Sequence, residues 1–196
     1  MEEMHTTLNK LNLGIPFFEE KKKLLTYLGK TELDDEPLPF TTILESNGLN
    51  DALWCAQSAP EYSRDWRLFA VWCARQVQDL IEDTRSLEAI NVAENYALGI
   101  ATEEELMAAF FLARKAVKAT WSKSSYSPLK SLKEQKFEAV RVAACVAAAN
   151  PGDAAYWAVV SVTWIDPAME DSIIEMFKLM CQGKAPWQVL TPATNN

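Results

Sequence analysis

Histidine is almost missing. His5 is the only one in 196 residues, which excludes a histidine-rich metal site, and its place in the polar N-terminal tail speaks against a Ser-His triad. Glycine is scarce at six residues, too few for the tight turns of an all-β fold. The four cysteines, Cys55, Cys73, Cys145 and Cys181, form no CxxC pair, and each lies in an apolar helical setting. They read as reduced core residues. No glycine-rich phosphate loop and no metal-ligand cluster is present, so no metal and no cofactor is expected. No apolar run reaches the ~18 residues of a membrane span; the stretch 139–149 is interrupted by Arg141. The opening MEEMHTTLNK is acidic and polar, unlike a signal peptide. These features point to a cytoplasmic protein with no membrane association.

Positive charge is in deficit, 19 Lys and Arg against 27 Asp and Glu, for a net charge of −8 and a pI near 4.8. Nucleic-acid binding through a basic patch is not expected. The field of such a chain favours a protein partner with a basic face.

What is abundant is alanine and helical periodicity. In 65–81, Trp66, Phe69, Cys73, Val77, Leu80 and Ile81 recur at three- and four-residue spacing, which makes one buried helix face. Leu68, Val71 and Trp72 widen it, so this helix should be central. A turn at Glu82-Asp83-Thr84 follows, with Ser86 as the expected cap of a helix over 87–98 closed by Gly99. Thr102 and Glu105 form a capping box for 103–121. Further helices are expected over 19–28, from Asn47 or Asn50 to Ser58, 132–149, 153–164 and 167–181. The last has Asp166 as cap and Pro167 at the first helical position. Gly14-Ile15-Pro16 breaks the chain, 30–40 is an acidic linker, and 122–128 is a polar loop. Glu88-Ala89-Ile90-x-Val92-Ala93 recurs fifty residues later as Glu138-Ala139-Val140-x-Val142-Ala143. Duplication of a helical hairpin or chance in an alanine-rich chain would each produce this.

The expected fold is all-α: six or seven helices in antiparallel hairpins, a helical bundle with a loosely structured N-terminal arm. The expected domains are an arm over 1–45, a helical body over 46–183 and an irregular tail over 184–196.

No catalytic group stands out. Asp79, Glu82, Asp83 and Glu103–Glu105 lie at helix ends and turns, and Cys73 has Arg75 near it only in sequence. The candidate partner-binding residues are the polar fringe Arg67, Arg75, Asp79, Glu82, Asp83 and Arg85, the acidic linker residues Asp34, Asp35 and Glu36, and Trp187. An ion-pair network fastening the helices would use the same fringe, and Arg141 with it.

The segments PFTTILESNGLNDALWCAQ and RLFAVWCARQVQDLIEDTRSLEAINVAENYALGIATEEELMAA carry a resemblance. They are similar to a group of alanine-rich helical proteins of tailed bacteriophages and prophages, related to bacterial proteins described as putative immunity proteins. The similarity spans about 38–119, and DSIIEMFKLMCQG resembles that group's C-terminal helix. The chain departs in having fewer alanines after residue 120, a larger N-terminal arm and a tail with Trp187. The resemblance implies no enzyme activity and no defined binding residues. Taken with the acidity, the alanine-rich scaffold and the lack of a catalytic constellation, it leads to the expectation of a non-enzymatic phage protein, in the cytoplasm of the infected bacterium, that binds and inhibits a host or competitor protein. Anti-defence inhibition and toxin neutralisation are its two forms. A virion structural or assembly protein, homo-oligomeric through Trp121, Trp157 or Trp187, is the alternative; an enzyme with an unrecognised site is the second.

Overall fold

A computed structural model describes residues 3–11, 18–121 and 131–189. Gly14-Ile15-Pro16, the loop 122–128, the Trp121 side chain and the tail beyond 189 lie outside the described residues. The chain divides into two compact units. One is 63–173. The other joins 1–62 to 174–196.

The 63–173 unit contains the expected central helix, α5 (Ser63–Gln76), followed by α6 (Thr84–Ala97), α7 (Glu103–Trp121), α8 (Leu132–Val146) and α9 (Pro151–Ile165). α5 packs most extensively on α9 and also meets α6 and α8. Trp66, Phe69, Ala70, Cys73 and Ala74 are fully buried along it. Helix α8 lies against α6, α7 and α9, and α6 against α7. Ala89, Ala93, Ala113, Ala116, Ala139, Ala143, Ala154, Ala155 and Ala158 are buried at these contacts; small side chains let helix backbones approach closely. The repeated motif falls on α6 and α8 with its Ala89/Ala139, Ile90/Val140 and Ala93/Ala143 positions buried in both.

The expected helix 65–81 ends earlier than its periodicity. After Gln76 the chain tightens into a 3-10 turn, Gln78–Leu80, with Val77 at φ −120° and ψ 8°. Val77 and Ile81 remain buried, so the apolar pattern outlasts the helix. The cap of α6 is Asp83, whose carboxylate accepts from the Arg85 amide, not Ser86, which lies buried inside the helix. The Thr102 box is present: Glu105 N donates to Thr102 Oγ1 at 3.2 Å and Thr102 N to Glu105 Oε2 at 2.7 Å. A second box, Ser131 with Glu134, starts α8. Asn150 caps α9 with Pro151 at its first position. Asp166 caps the 3-10 turn Pro167–Met169, which continues into α10 (Glu170–Cys181).

The other unit begins at the N-terminal arm. Strand β1 (His5–Thr6) pairs antiparallel with β2 (Leu38–Pro39), His5 opposite Pro39. Helices α1 (Leu8–Leu11) and α2 (Phe18–Leu28) lie between them in the chain. Met4, Leu8, Leu11, Leu24 and Leu38 are buried, and the Met4 amide donates to the Cys181 carbonyl at 2.7 Å. The helix expected to start at Asn47 or Asn50 is instead two: α3 (Phe40–Asn47) and α4 (Leu49–Trp54), then a 3-10 turn Cys55–Ser58. Gly48 separates them at φ 95° and ψ 176°. The tail expected to be irregular opens with a helical turn, α11 (Pro186–Val189). Gln188 anchors it: its side chain accepts from the Ala185 amide and donates to the Met180 carbonyl.

Candidate functional site

Of the polar fringe of α5 and α6, Arg67 is buried, Arg75, Asp83 and Arg85 are half-buried, and Asp79 and Glu82 are exposed. Arg67 is only 2% exposed. Its Nη1 donates to the carbonyls of Val146 and Ala148 at 2.7 and 2.9 Å, and Nη2 to Ala149 at 3.1 Å. The guanidinium also lies 5.4 Å from the Tyr96 ring centroid. The Val146 carbonyl closes α8 and those of Ala148 and Ala149 follow just beyond it, where helix acceptors are left open and the helix dipole is negative. Burial lowers the Arg67 pKa from its ordinary value, but a guanidinium stays cationic. Arg67 is therefore a fastening between α5 and α8, which removes it from any contact surface.

Arg75 is similar in kind. Nη2 donates to Asn91 Oδ1 (3.0 Å) and Glu94 Oε2 (2.6 Å), and Nη1 to Gln78 Oε1 (3.1 Å), tying α5 to α6. Arg85 grips Asp83 in a two-pronged pair, Nε to Oδ1 at 2.9 Å and Nη2 to Oδ2 at 2.6 Å. That hydrogen bond holds the Asp83 carboxyl below its ordinary pKa and raises Arg85. Glu82 is exposed and paired with Lys136 of α8, which lowers the Glu82 carboxyl in the same way. Glu82 and Asp83 line one side of a hollow of about 370 Å³, facing Thr120, Lys133 and Lys136. Asp79 is exposed in the 3-10 turn.

The remaining candidates lie in the other unit. Lys30 Nζ donates to Asp34 at 2.5 Å and Glu36 at 2.6 Å; these bonds raise the Lys30 pKa and lower that of Asp34. Asp35 is exposed, 3.5 Å from the Thr7 hydroxyl. Trp187 is half-buried in α11. Most acids expected to meet a basic partner are thus paired with cations of this chain.

A different site emerges between α7, α8 and α9, as a cleft of about 270 Å³. Phe110, Arg114, Val117 and Lys118 come from α7, and Arg141, Ala144 and Cys145 from α8. Ala148 just beyond α8 and Asp153 and Trp157 of α9 complete it. The positions 110, 114 and 118 are spaced by four and share a helix face. Arg114 lies 5.6 Å over the Phe110 ring. Arg141 Nη2 donates to Ser161 Oγ at 3.0 Å and forms an ion pair with Glu138 at 2.9 Å. Its Nε is buried without a hydrogen-bond partner. Trp157 packs edge-on to Tyr156 at 5.1 Å and is 45% exposed. Three cations, of which Arg141 is already paired with Glu138, and the carboxylate of Asp153 thus surround an apolar floor, in a chain that is acidic as a whole. The volume suits one partner side chain better than a whole organic ligand.

In the sequence Phe110, Arg114 and Lys118 recur at four-residue spacing and Arg141 belongs with the candidates for an ion-pair network, but nothing local places the two segments together.

Cys55, Cys73 and Cys145 are poor nucleophiles. Burial pushes the Cys55 thiol up to about 12 and raises Cys73 strongly. Cys145, at the cleft, is pushed up to about 11, by burial first and Glu138 second, with Arg141 opposing. A protonated thiol neither attacks nor binds metal well. Among the described residues no group of three or more His, Cys, Asp or Glu is placed to hold a metal ion. None of the described helices is long and apolar enough to cross a membrane.

The geometry defines a helical protein with a cation-rimmed apolar cleft. No family model, no curated protein and no solved structure matches this chain.

Proposed function

We propose that this is a non-enzymatic phage protein that binds and inhibits a host or competitor protein by direct contact, through the cleft between α7, α8 and α9. The carrying observation is Trp157, exposed beside an apolar floor and the cations Arg114, Lys118 and Arg141. Tryptophan and arginine are the side chains that dominate protein contacts. A cleft of this size accepts an apolar anchor, and the cations accept a neighbouring carboxylate. The partner segment is therefore acidic and apolar. This revises the expectation of a basic partner, which rested on net charge. The resemblance to phage and immunity-like proteins supports the inhibitory reading, in its anti-defence or toxin-neutralising form.

The test is capture from host lysate with wild-type and Trp157→Ala baits at micromolar concentration, followed by mass spectrometry. The proposal expects a specific protein on the wild type, at least tenfold less on Trp157→Ala, and equal capture by an Asp35→Asn control. Equal capture by both baits, or none by either, overturns it. A second reading, a virion structural or assembly component, draws on the exposed side chains of α7. Its mark would be presence of the chain in purified particles.

A further inference from the structure

The outward face of α7 is complementary to itself. Leu106, Ala109, Ala113 and Ala116 are buried and fix the inward face. At 3.6 residues per turn, the centre of the opposite face is Phe111, with Glu104 and Lys118 in line seven residues before and after it. Phe111 is 53% exposed and Met107, beside it, 40%. Between Phe111 and Lys118 lie Arg114 and Lys115, and between Glu104 and Phe111 lie Met107 and Ala108, all exposed. Glu103, Glu104 and Glu105 open the helix, and Arg114, Lys115 and Lys118 occupy its second half. On the outward face itself Glu104 stands against Arg114, Lys115 and Lys118, a positive surplus in a chain of net charge −8, while Glu105 is engaged with the Thr102 cap. Among the described residues neither Glu104 nor Lys118 has an ion-pair partner.

We infer that α7 pairs antiparallel with α7 of a second copy of this chain, across a two-fold axis at Phe111. Residues equidistant from Phe111 then meet. Glu104 faces Lys118 of the partner subunit, and Phe111 packs on its own symmetry mate. Met107 and Ala108 lie under the aliphatic stems of Lys115 and Arg114 of the partner subunit. An isologous contact requires this self-complementarity. Parallel docking would set acid against acid and base against base, so the charge pattern selects the antiparallel arrangement. The paired stretch, 104–118, spans about 21 Å. A single helix pair of that length is a small interface, so association is weak and depends on concentration.

The inference does not rest on the proposed function, although Arg114 and Lys118 also line the cleft, so the two contacts compete for them; Trp157→Ala should leave self-association intact. The experiment is sedimentation equilibrium of the whole chain from about 1 to 200 µM, bracketing a weak Kd. The weight-average mass of the wild type should rise from 22.0 kDa toward twice that value. Glu104→Lys and Lys118→Glu should each stay monomeric over the range. The double variant Glu104→Lys/Lys118→Glu should associate again, and so should an equimolar mixture of the two single variants, because both restore opposite charges across the axis. Phe111→Ser, an exposed position, should weaken association at least tenfold with unchanged far-UV circular dichroism. A wild type that stays at monomer mass overturns the proposal. So do single charge variants that associate like the wild type, or a double variant or mixture that does not recover.

Discussion

Replacing Arg67 by methionine tests whether α5 is fastened to α8 by charge. Methionine keeps most of the buried stem and deletes the guanidinium. Three carbonyl oxygens, those of Val146, Ala148 and Ala149, lose their donor. Ala149 is exposed, so water replaces its bond at little cost. Val146 is fully buried and Ala148 half-buried, and each orphaned acceptor costs about 1–3 kcal/mol. Relief of the buried charge returns part of this. The expected loss is about 3 kcal/mol, equivalent to roughly 6–12 °C in Tm for a chain of this size. Arg67→Lys should lose about 2 kcal/mol, since one ammonium cannot reach carbonyls spread over four residues as a planar fork does. Urea unfolding followed by circular dichroism measures both. If Arg67→Met unfolds within about 0.5 kcal/mol of the wild type, a surface-like value, the fastening is not stabilising and Arg67 returns to the candidates for contact.

Gly48→Ala should destabilise by about 1–3 kcal/mol although a Cβ there meets nothing within 4 Å, because φ 95° with ψ 176° is a region open essentially to glycine alone; an unchanged urea midpoint would contradict this. Asp83 has a folded pKa below its unfolded value, so its stabilisation is full above about pH 4 and is lost as pH falls through the folded pKa. Asp83→Asn keeps a capping oxygen and loses the pair with Arg85, whose partners are 25% and 39% exposed. It should therefore cost at most about 1 kcal/mol at pH 7, and the difference from wild type should shrink as pH falls below about 4; a gap that widens in acid would refute the assignment. Against a thiol-specific disulfide reagent at neutral pH, the native chain should react slowly, with half-buried Cys145 first and fully buried Cys73 last. Reaction of Cys73 ahead of Cys145 would show that α5 is not the buried centre.

The sequence by itself determined what depends on neighbours within a turn or two. The Thr102 box, the Asp166 cap and the glycines at positive φ after helices, Gly29, Gly99 and Gly183, need only a few residues to form. The apolar spacing of Trp66, Phe69 and Cys73 marked the buried face of α5 because a helix repeats every 3.6 residues. Elements without such a local mark were invisible. Helix α3 begins at Pro39 with no side-chain cap, and the two-residue strands β1 and β2 are too short to alternate. Tertiary structure alone decided the competition between Asp83 and Ser86, where burial took Ser86 inward. It also decided where the charges go. Arg67 finds its acceptors 79 to 82 residues away, and Glu82 finds Lys136 across 54. A side chain's fate as fastening or as contact surface depends on what the fold brings opposite it. For that reason Arg67 became internal structure and most of the remaining fringe became paired within the chain, while Phe110, Arg141 and Trp157 met at a cleft.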